Sequence, residues 1–390
     1  MKKALICNLF IPYTVNAVKR AFKDLGIDFE EKKYYTPEDL YGDERIVSMV
    51  EKDIRSVRPD FVFTVNYWPP VGEACHNTGT TYISWSYDSP QNLPSTKTME
   101  YETNHIFMFD KAEVEAYMEK GIKTVSHALL ATDTEHFDRL LSKRGMERDI
   151  DISFLGSLYE STLPMLMGPA DDYERGFIEG VVRSTQSIYG YYLPDDAITD
   201  ELVDSLNRTY AKKATVKDVP VINKEQLLYA IATHVTRTDR LTLLKFMSPG
   251  RNTYLYTGEK EAGDEMKAFL KDVKIEKPVD YDTGMPEVFR RSKINLCPIL
   301  RIIRTGIPLR ALDIMGCRGF LLSSFQGEIA EYFENGKECV LYTGLEEAMY
   351  YADYYLKHDD ERESIALAGY EKVKRDFTYK ARIKEMLEVL

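Results

Sequence analysis

Between Arg290 and Leu312 the chain carries Arg290, Arg291, Lys293, Arg301, Arg304 and Arg310 and no acidic residue, although its net charge is −12. Arginine presents a planar fork of donors that matches phosphate oxygens and keeps its charge near neutrality. Gly306 and Pro308 mark a turn between an apolar run and an expected helix, Leu309–Gly316. The N-terminus of such a helix adds backbone donors and a positive dipole end to the same anion. The chemistry this pattern suits is the binding of a diphosphate. Asp313, about one helical turn after Arg310, is placed to accept hydrogen bonds from ribose hydroxyls. Arg304 and Arg310, flanking the turn, read as ligands. Arg290, Arg291 and Lys293 read better as solvated charge or ion-pair partners, and Arg301 divides evenly between the two.

Further candidates sit where strands are expected to end, because ligands of open α/β sheets bind beyond the carboxyl ends of the strands. Ser323 and Ser324, which close the run GFLLSS, and Gln326 and Gly327 just after it offer hydroxyl and backbone donors, although ordinary turn chemistry explains them nearly as well. Gly156 and Ser157 close the run DISFLGS. The segment PVDY, with Asp280 and Tyr281, is either an edge for a nucleobase or a plain turn. Both tryptophans of the chain, Trp68 in WPP and Trp85 in WSYDSP, fall at the ends of successive strands. Their flat faces suit a sugar ring. Asp88 is either a base for a hydroxyl or the cap of the turn before Ser-Pro.

The elements that must position these residues alternate between short apolar runs and amphipathic stretches, the pattern of a parallel sheet covered by helices. Strands are expected at 4–10, 61–67, 81–87, 105–109 and 125–130, with helices at 15–25, 43–57 and 111–120. A second alternation runs through 151–158, 253–258, 294–299, 319–324 and 339–342. Two doubly wound domains follow, 1–148 and 149–375, the second with a helical insertion at about 160–247. A chain of 390 residues exceeds what one core usually supports. Within the insertion the aromatic run YGYYLPDD reads as core and turn rather than as a substrate-facing edge. Thr343 and Glu346 suggest a capping box for a helix from Leu345. The last segment, 376–390, is amphipathic and is expected to pack back on the first domain.

The bulk properties exclude several classes. A net charge of −12 argues against a nucleic-acid reader with a broad basic face. The N-terminal apolar run ICNLFI is shorter than the roughly 7–15 residues of a secretion signal core and reads as a first strand. No run reaches the roughly 20 apolar residues of a membrane span. Five cysteines, Cys7, Cys75, Cys297, Cys317 and Cys339, form no C-x-x-C pair, which suits a reducing cytoplasm. The six histidines show no metal-ligand spacing, so no metal is expected. The loop NLFIPYT lacks a glycine fingerprint, so a dinucleotide cofactor is not expected either.

The segment SKINLCPILRIIRTGIPLRALDIMGCRGFLLSSFQGEIAEYFENGKECVLYTGLEEA, with the tail DERESIALAGYEKVKRDFTYKARI, resembles the C-terminal domain of CgeB-like, group-1-type glycosyltransferases. The resemblance extends upstream through FVFTVNYWPP, YISWSYDSP and DISFLGSLY. It implies a GT-B fold: two Rossmann-like domains facing a central cleft, the second binding a nucleotide-activated sugar and the first an acceptor. The family's donor positions map onto Arg304, Arg310 and Asp313, with the 323–327 loop nearby. Retaining members usually carry two glutamates eight positions apart, and here those positions are Thr305 and Asp313. The stereochemical course therefore stays open, and in an inverting enzyme Asp88 is the first candidate base. The implied activity is metal-independent transfer of a hexose-type sugar from a nucleotide diphosphate, with a UDP-sugar as the expected donor. The acceptor is a protein, a surface glycan or a small molecule. Two other readings remain: a noncatalytic relative serving as a spore-coat or assembly component, and a nucleotide-sugar epimerase.

Overall fold

Runs of β-branched and aromatic residues buried on both faces become the strands of two parallel sheets. The computed structural model describes residues 2–9, 13–36, 42–91, 93, 95–142, 147–214, 221–258 and 264–390. Phe10 at the end of the expected first strand, residues 10–12 of the loop NLFIPYT and residues 143–146 near the expected boundary lie outside the described residues.

One unit comprises Met1–Ser142, Thr305–Gly316 and Glu371–Leu390. Its strands are β1 (Lys3–Asn8), β2 (Asp28–Lys33), β3 (Phe61–Val65), β4 (Thr81–Ser86), β5 (Asn104–Met108) and β6 (Val125–His127), in the order β2-β1-β3-β4-β5-β6. β2 has the sequence DFEEKK, and its charges suit an edge strand, which also hid it from an apolar-run reading. The helix Glu44–Val57 starts on Asp43, whose carboxylate accepts from the N–H groups of Arg45 and Ile46. It buries Ile46, Val50 and Ile54 against β1 and β3 residues such as Leu5 and Val62. The C-terminal helix Tyr379–Met386 packs on the helix Val15–Asp24.

The other unit comprises Lys143–Arg304 and Cys317–Tyr370. Its strands are β7 (Ile150–Leu155), β8 (Thr253–Tyr256), β9 (Val273–Glu276), β10 (Ser292–Cys297), β11 (Leu321–Ser324) and β12 (Val340–Tyr342), in the order β12-β11-β10-β7-β8-β9. Counted within the unit this is the 3-2-1-4-5-6 order of a dinucleotide-type doubly wound sheet, and its topological switch point lies between β7 and β10. β9, VKIE, is again a polar edge strand that the apolar pattern did not mark. Between β7 and β8 five helices among the described residues form an insertion with a core of its own, containing Ile178, Leu206, Leu227 and Ile231. Capping boxes at Asp171/Glu174 and Asn223/Gln226 begin two of them.

The segment Thr305–Gly316 goes with the first unit, not with the 149–375 domain. Its glycines explain the fit. A Cβ on Gly306 would stand 2.7 Å from the Phe109 ring and 2.9 Å from Asp110 Cα, and one on Gly316 would stand 2.7 Å from Thr132 Oγ1. The expected capping box at Thr343 and Glu346 takes another form: Gly344 is the N-cap, and Thr343 donates through its N–H and hydroxyl to Glu347. No helix among the described residues is long and apolar enough to cross a membrane. All five cysteines are buried, and no disulfide joins any two of them.

Candidate functional site

At the switch point of the second unit, the loops leaving β7 and β10 are held together by a buried arginine. Arg240, in the C-terminal half of the helix Lys224–Met247, donates from Nε and Nη2 to the Pro298 carbonyl (3.2 and 2.7 Å) and from Nη1 to the Ser157 carbonyl. Its guanidinium lies over the rings of Phe154 and Tyr159, 5.1 and 4.8 Å from their centroids. No carboxylate forms an ion pair with it among the described residues, and burial lowers its pKa from the ordinary arginine value. The carboxyl ends of the two central strands thus share a buried positive charge. Nothing in the sequence window 290–312 pointed to Arg240, because it lies about 60 positions upstream on a helix of mixed polarity.

The same helix anchors the rest of the β7 loop. Arg237 donates to the Tyr159 carbonyl at 2.7 Å, and the Ser161 hydroxyl is 2.9 Å from His234 Nδ1. Burial, aided by Arg237, holds the His234 pKa below its ordinary value. Ser157 is exposed, with its hydroxyl accepting from the Tyr159 N–H, while Gly156 donates to the Tyr256 carbonyl at 3.0 Å.

The arginines of the β10 loop are already engaged. Arg301 pairs with Asp239 (Nε to Oδ2, 2.8 Å), donates to the Ile188 carbonyl (2.9 Å) and lies 3.8 Å over the Tyr189 ring. Both partners of this pair are more than nine-tenths buried, so Arg301 is a structural cation and not an open phosphate ligand. Arg304 makes a two-pronged pair with Asp195, 2.5 Å from Nε and 2.9 Å from Nη2, in which both side chains remain partly accessible. Arg291 pairs with Asp149 and Lys293 with Asp151, as expected for solvated partners. Every one of these acids comes from outside the 290–312 window, which is why the window looked uncompensated. A crevice in the same unit is lined by Tyr191, Tyr192, Arg301, Arg304, Phe325 and Gln326.

Ser323 and Ser324 are buried and face inward. Ser323 donates to the Cys297 carbonyl, and Ser324 Oγ accepts from the Ile299 N–H at 3.0 Å. Gln326 donates to the Ile303 carbonyl at 2.9 Å, fixing the base of the β10 loop, and Gly327 is exposed at the start of a short helix. Tyr281 is half-buried, and Asp280 spends its carboxylate on the Thr283 N–H and hydroxyl, the bland turn rather than a base edge.

In the first unit the expected residues separate in a similar way. Trp85 is fully buried, edge-on to Tyr379 at 5.6 Å, so it is core and presents no face to a sugar. Trp68 is half-buried, and its Nε1 donates to the Val65 carbonyl at 3.0 Å. Asp88 is exposed and held by Asn66 Nδ2 at 2.6 Å. Asn66 sits in the left-handed region (φ 61°) at the end of β3, and its Oδ1 also accepts from the Tyr87 N–H at 2.8 Å. Arg310 is half-buried. Asp313 belongs to this unit as well: it is 1% exposed and accepts from Thr132 Oγ1 at 3.0 Å. A carboxylate so enclosed has no open side for ribose hydroxyls. Thr305 donates its N–H and hydroxyl to Asp110 Oδ1 at 3.1 and 2.8 Å. Among the described residues no group of three or more His, Cys, Asp and Glu could hold a metal ion.

Comparison with known proteins fits this frame. Structures of Anabaena Alr3699/HepE in complex with UDP and glucose (TM-score 0.55, 11% identity, 100% of each chain covered) have a similar fold. So does a glycosyltransferase from Rickettsia africae (TM-score 0.57, 11% identity, 100% of this chain and 97% of that one). The lipopolysaccharide outer core galactosyltransferase WaaB in its apo form is a third (TM-score 0.54, 12% identity, 100% and 99%). The two parallel six-stranded units therefore have the GT-B fold. Residues 237–388 match the glycosyl transferase-like family, and the match begins at Arg237, within the helix that carries Arg240. No curated protein matches the chain.

Proposed function

We propose that the chain is a glycosyltransferase that moves a hexose-type sugar from a nucleoside-diphosphate sugar, a UDP-sugar in the first instance, to a protein, surface-glycan or small-molecule acceptor. The observation that carries this reading is the switch point between β7 and β10, where Arg240 and Arg304 bring positive charge to strand ends that bind ligands in sheets of this order. The neighbour solved with UDP and glucose supports the donor class. We place the reaction in the cytoplasm and assign it no metal, and the CgeB-like affinity belongs to the same reading.

Chemically, the bond between the anomeric carbon and the diphosphate oxygen breaks with its electron pair leaving on the diphosphate. The acceptor hydroxyl bonds to the oxocarbenium-like centre. Cations stabilise the departing charge, a role for Arg304, while Arg240 adds buried positive charge at the ends of β7 and β10. In an inverting course the hydroxyl proton passes to Asp88. Thr305, committed to Asp110 where retaining members carry a glutamate, favours a second reading, a nucleotide-binding relative without turnover. A thermal-shift panel of UDP, GDP, ADP and their sugars tests the first step, because a ligand that binds only the folded state raises the melting temperature. A rise with at least one nucleotide is expected, and a flat response to all of them sinks the proposal.

A further inference from the structure

The acid that pairs with Arg304 comes from the helical insertion. Asp195 lies in the short helix Pro194–Ala197, within the strap that runs from Ile188 to Ala197 past the β10 loop. The strap is fixed independently of this pair. Tyr192 is buried and donates to the Leu228 carbonyl at 2.5 Å, Pro194 is buried, and Lys224 donates to the Asp195 carbonyl at 3.2 Å. Arg301 holds its other end through the Ile188 carbonyl and the Tyr189 ring. Asp195 and Arg304 are each about 29% accessible at the side chain, whereas the neighbouring Arg301–Asp239 pair is sealed. The strap therefore carries one exchangeable carboxylate onto the one arginine of the β10 loop assigned to phosphate.

We propose that Asp195 is an internal anion that occupies Arg304 while the nucleotide site is empty, and that a nucleoside diphosphate must displace it. This inference rests on the donor-site reading of Arg304 given above. The geometry of the pair is the fork-to-carboxylate match that a phosphate would reproduce with two of its oxygens. Because the strap is anchored by Tyr192, Pro194 and Arg301, release requires only rotation of the Asp195 side chain. The carboxylate stays close to Arg304, at high effective concentration, after it has been displaced. The same competition acts in reverse after transfer: Asp195 returns to Arg304 and lowers the affinity for the nucleoside diphosphate product, which favours its release. A ligand that does not reach Arg304, such as uridine, escapes the competition.

The test is calorimetric titration of UDP, and of uridine as a control, into the full chain and into Asp195→Asn, Arg304→Ala and the double variant. Removal of the competing charge is expected to tighten UDP about two- to fivefold, the range for loss of a partly exposed ion-pair competitor, and to leave uridine unchanged. In the Arg304→Ala background the Asp195 substitution should have no effect on UDP. Should the amide destabilise the insertion, Asp195→Ser removes the same charge and carries the same test. If the wild type binds UDP and the Asp195 variants bind it equally or more weakly, the internal-anion role is wrong while the donor site stands. If neither wild type nor variants bind UDP, the donor-site reading fails and the inference fails with it.

Discussion

Replacing Arg301 by alanine separates a structural cation from a ligand-binding one. The guanidinium faces Asp239 at 2.8 Å, donates to the Ile188 carbonyl at 2.9 Å and covers the Tyr189 ring at 3.8 Å, with both members of the ion pair more than nine-tenths buried. Burial pushes the Asp239 carboxyl up from its ordinary value, and Arg301 pulls it back. Without Arg301 the carboxylate is left in the interior without its ion-pair partner, a change that costs about 3–5 kcal/mol when one member of a buried pair is removed. For a unit of this size each kcal/mol moves the melting temperature by about 2–4 °C, so a fall of roughly 6–20 °C is expected at pH 7. The sign with pH follows from the raised folded-state value. A carboxyl with a folded pKa above its unfolded one destabilises the folded state at higher pH, and the effect disappears as pH falls below both values. The gap between Arg301→Ala and wild type should therefore narrow on acidification, and Asp239→Asn in the variant background should recover part of the loss. Scanning calorimetry at pH 7 and at acidic pH reads both effects. A variant that melts within about 1 °C of wild type at pH 7, or a deficit that widens with acid, would refute the structural assignment.

Trp85→Ala should cost the first unit about 3–5 kcal/mol, since the side chain is fully buried against Tyr379, and a urea midpoint close to wild type would return it to the surface. Gly306→Ala forces a methyl group against the Phe109 ring and the Asp110 backbone, for a loss of about 1–3 kcal/mol read by thermal melting; full stability would show that this contact is loose. Asn66→Gly keeps the left-handed backbone and removes the amide that holds Asp88. If Asp88 is the base, turnover should drop by up to about 100-fold with melting nearly unchanged, whereas unchanged turnover would leave Asn66 as turn chemistry only.

The two-sheet architecture was legible because central parallel strands, buried on both faces, read as continuous apolar runs. FVFTV and TYISWS are examples, both fully or nearly buried. The strands that escaped, DFEEKK and VKIE, are both edges, where charge is an advantage and the apolar signal is lost. The candidate site was half legible for a different reason. A local window shows which charges are absent nearby in sequence, but Asp149, Asp151, Asp195 and Asp239 reach the basic segment through the fold. Arg240 was invisible for the converse reason: its function depends on the carbonyls of Ser157 and Pro298, and backbone acceptors leave no mark in composition. Asp313 had the residue type for ribose and the wrong surroundings, being enclosed beside Thr132. Helical periodicity placed it correctly on Leu309–Gly316 and said nothing about which unit that helix joins.

The central claim is tested most directly by turnover: release of nucleoside diphosphate from UDP-, GDP- and ADP-sugars, with and without saccharide and protein acceptors, for the full chain and for Arg304→Ala. The account predicts acceptor-stimulated release from at least one donor, at least about 100-fold slower in the variant, the smaller end of what one transition-state charge contact contributes. Release that is absent with every donor, or equal in the two proteins, would contradict it.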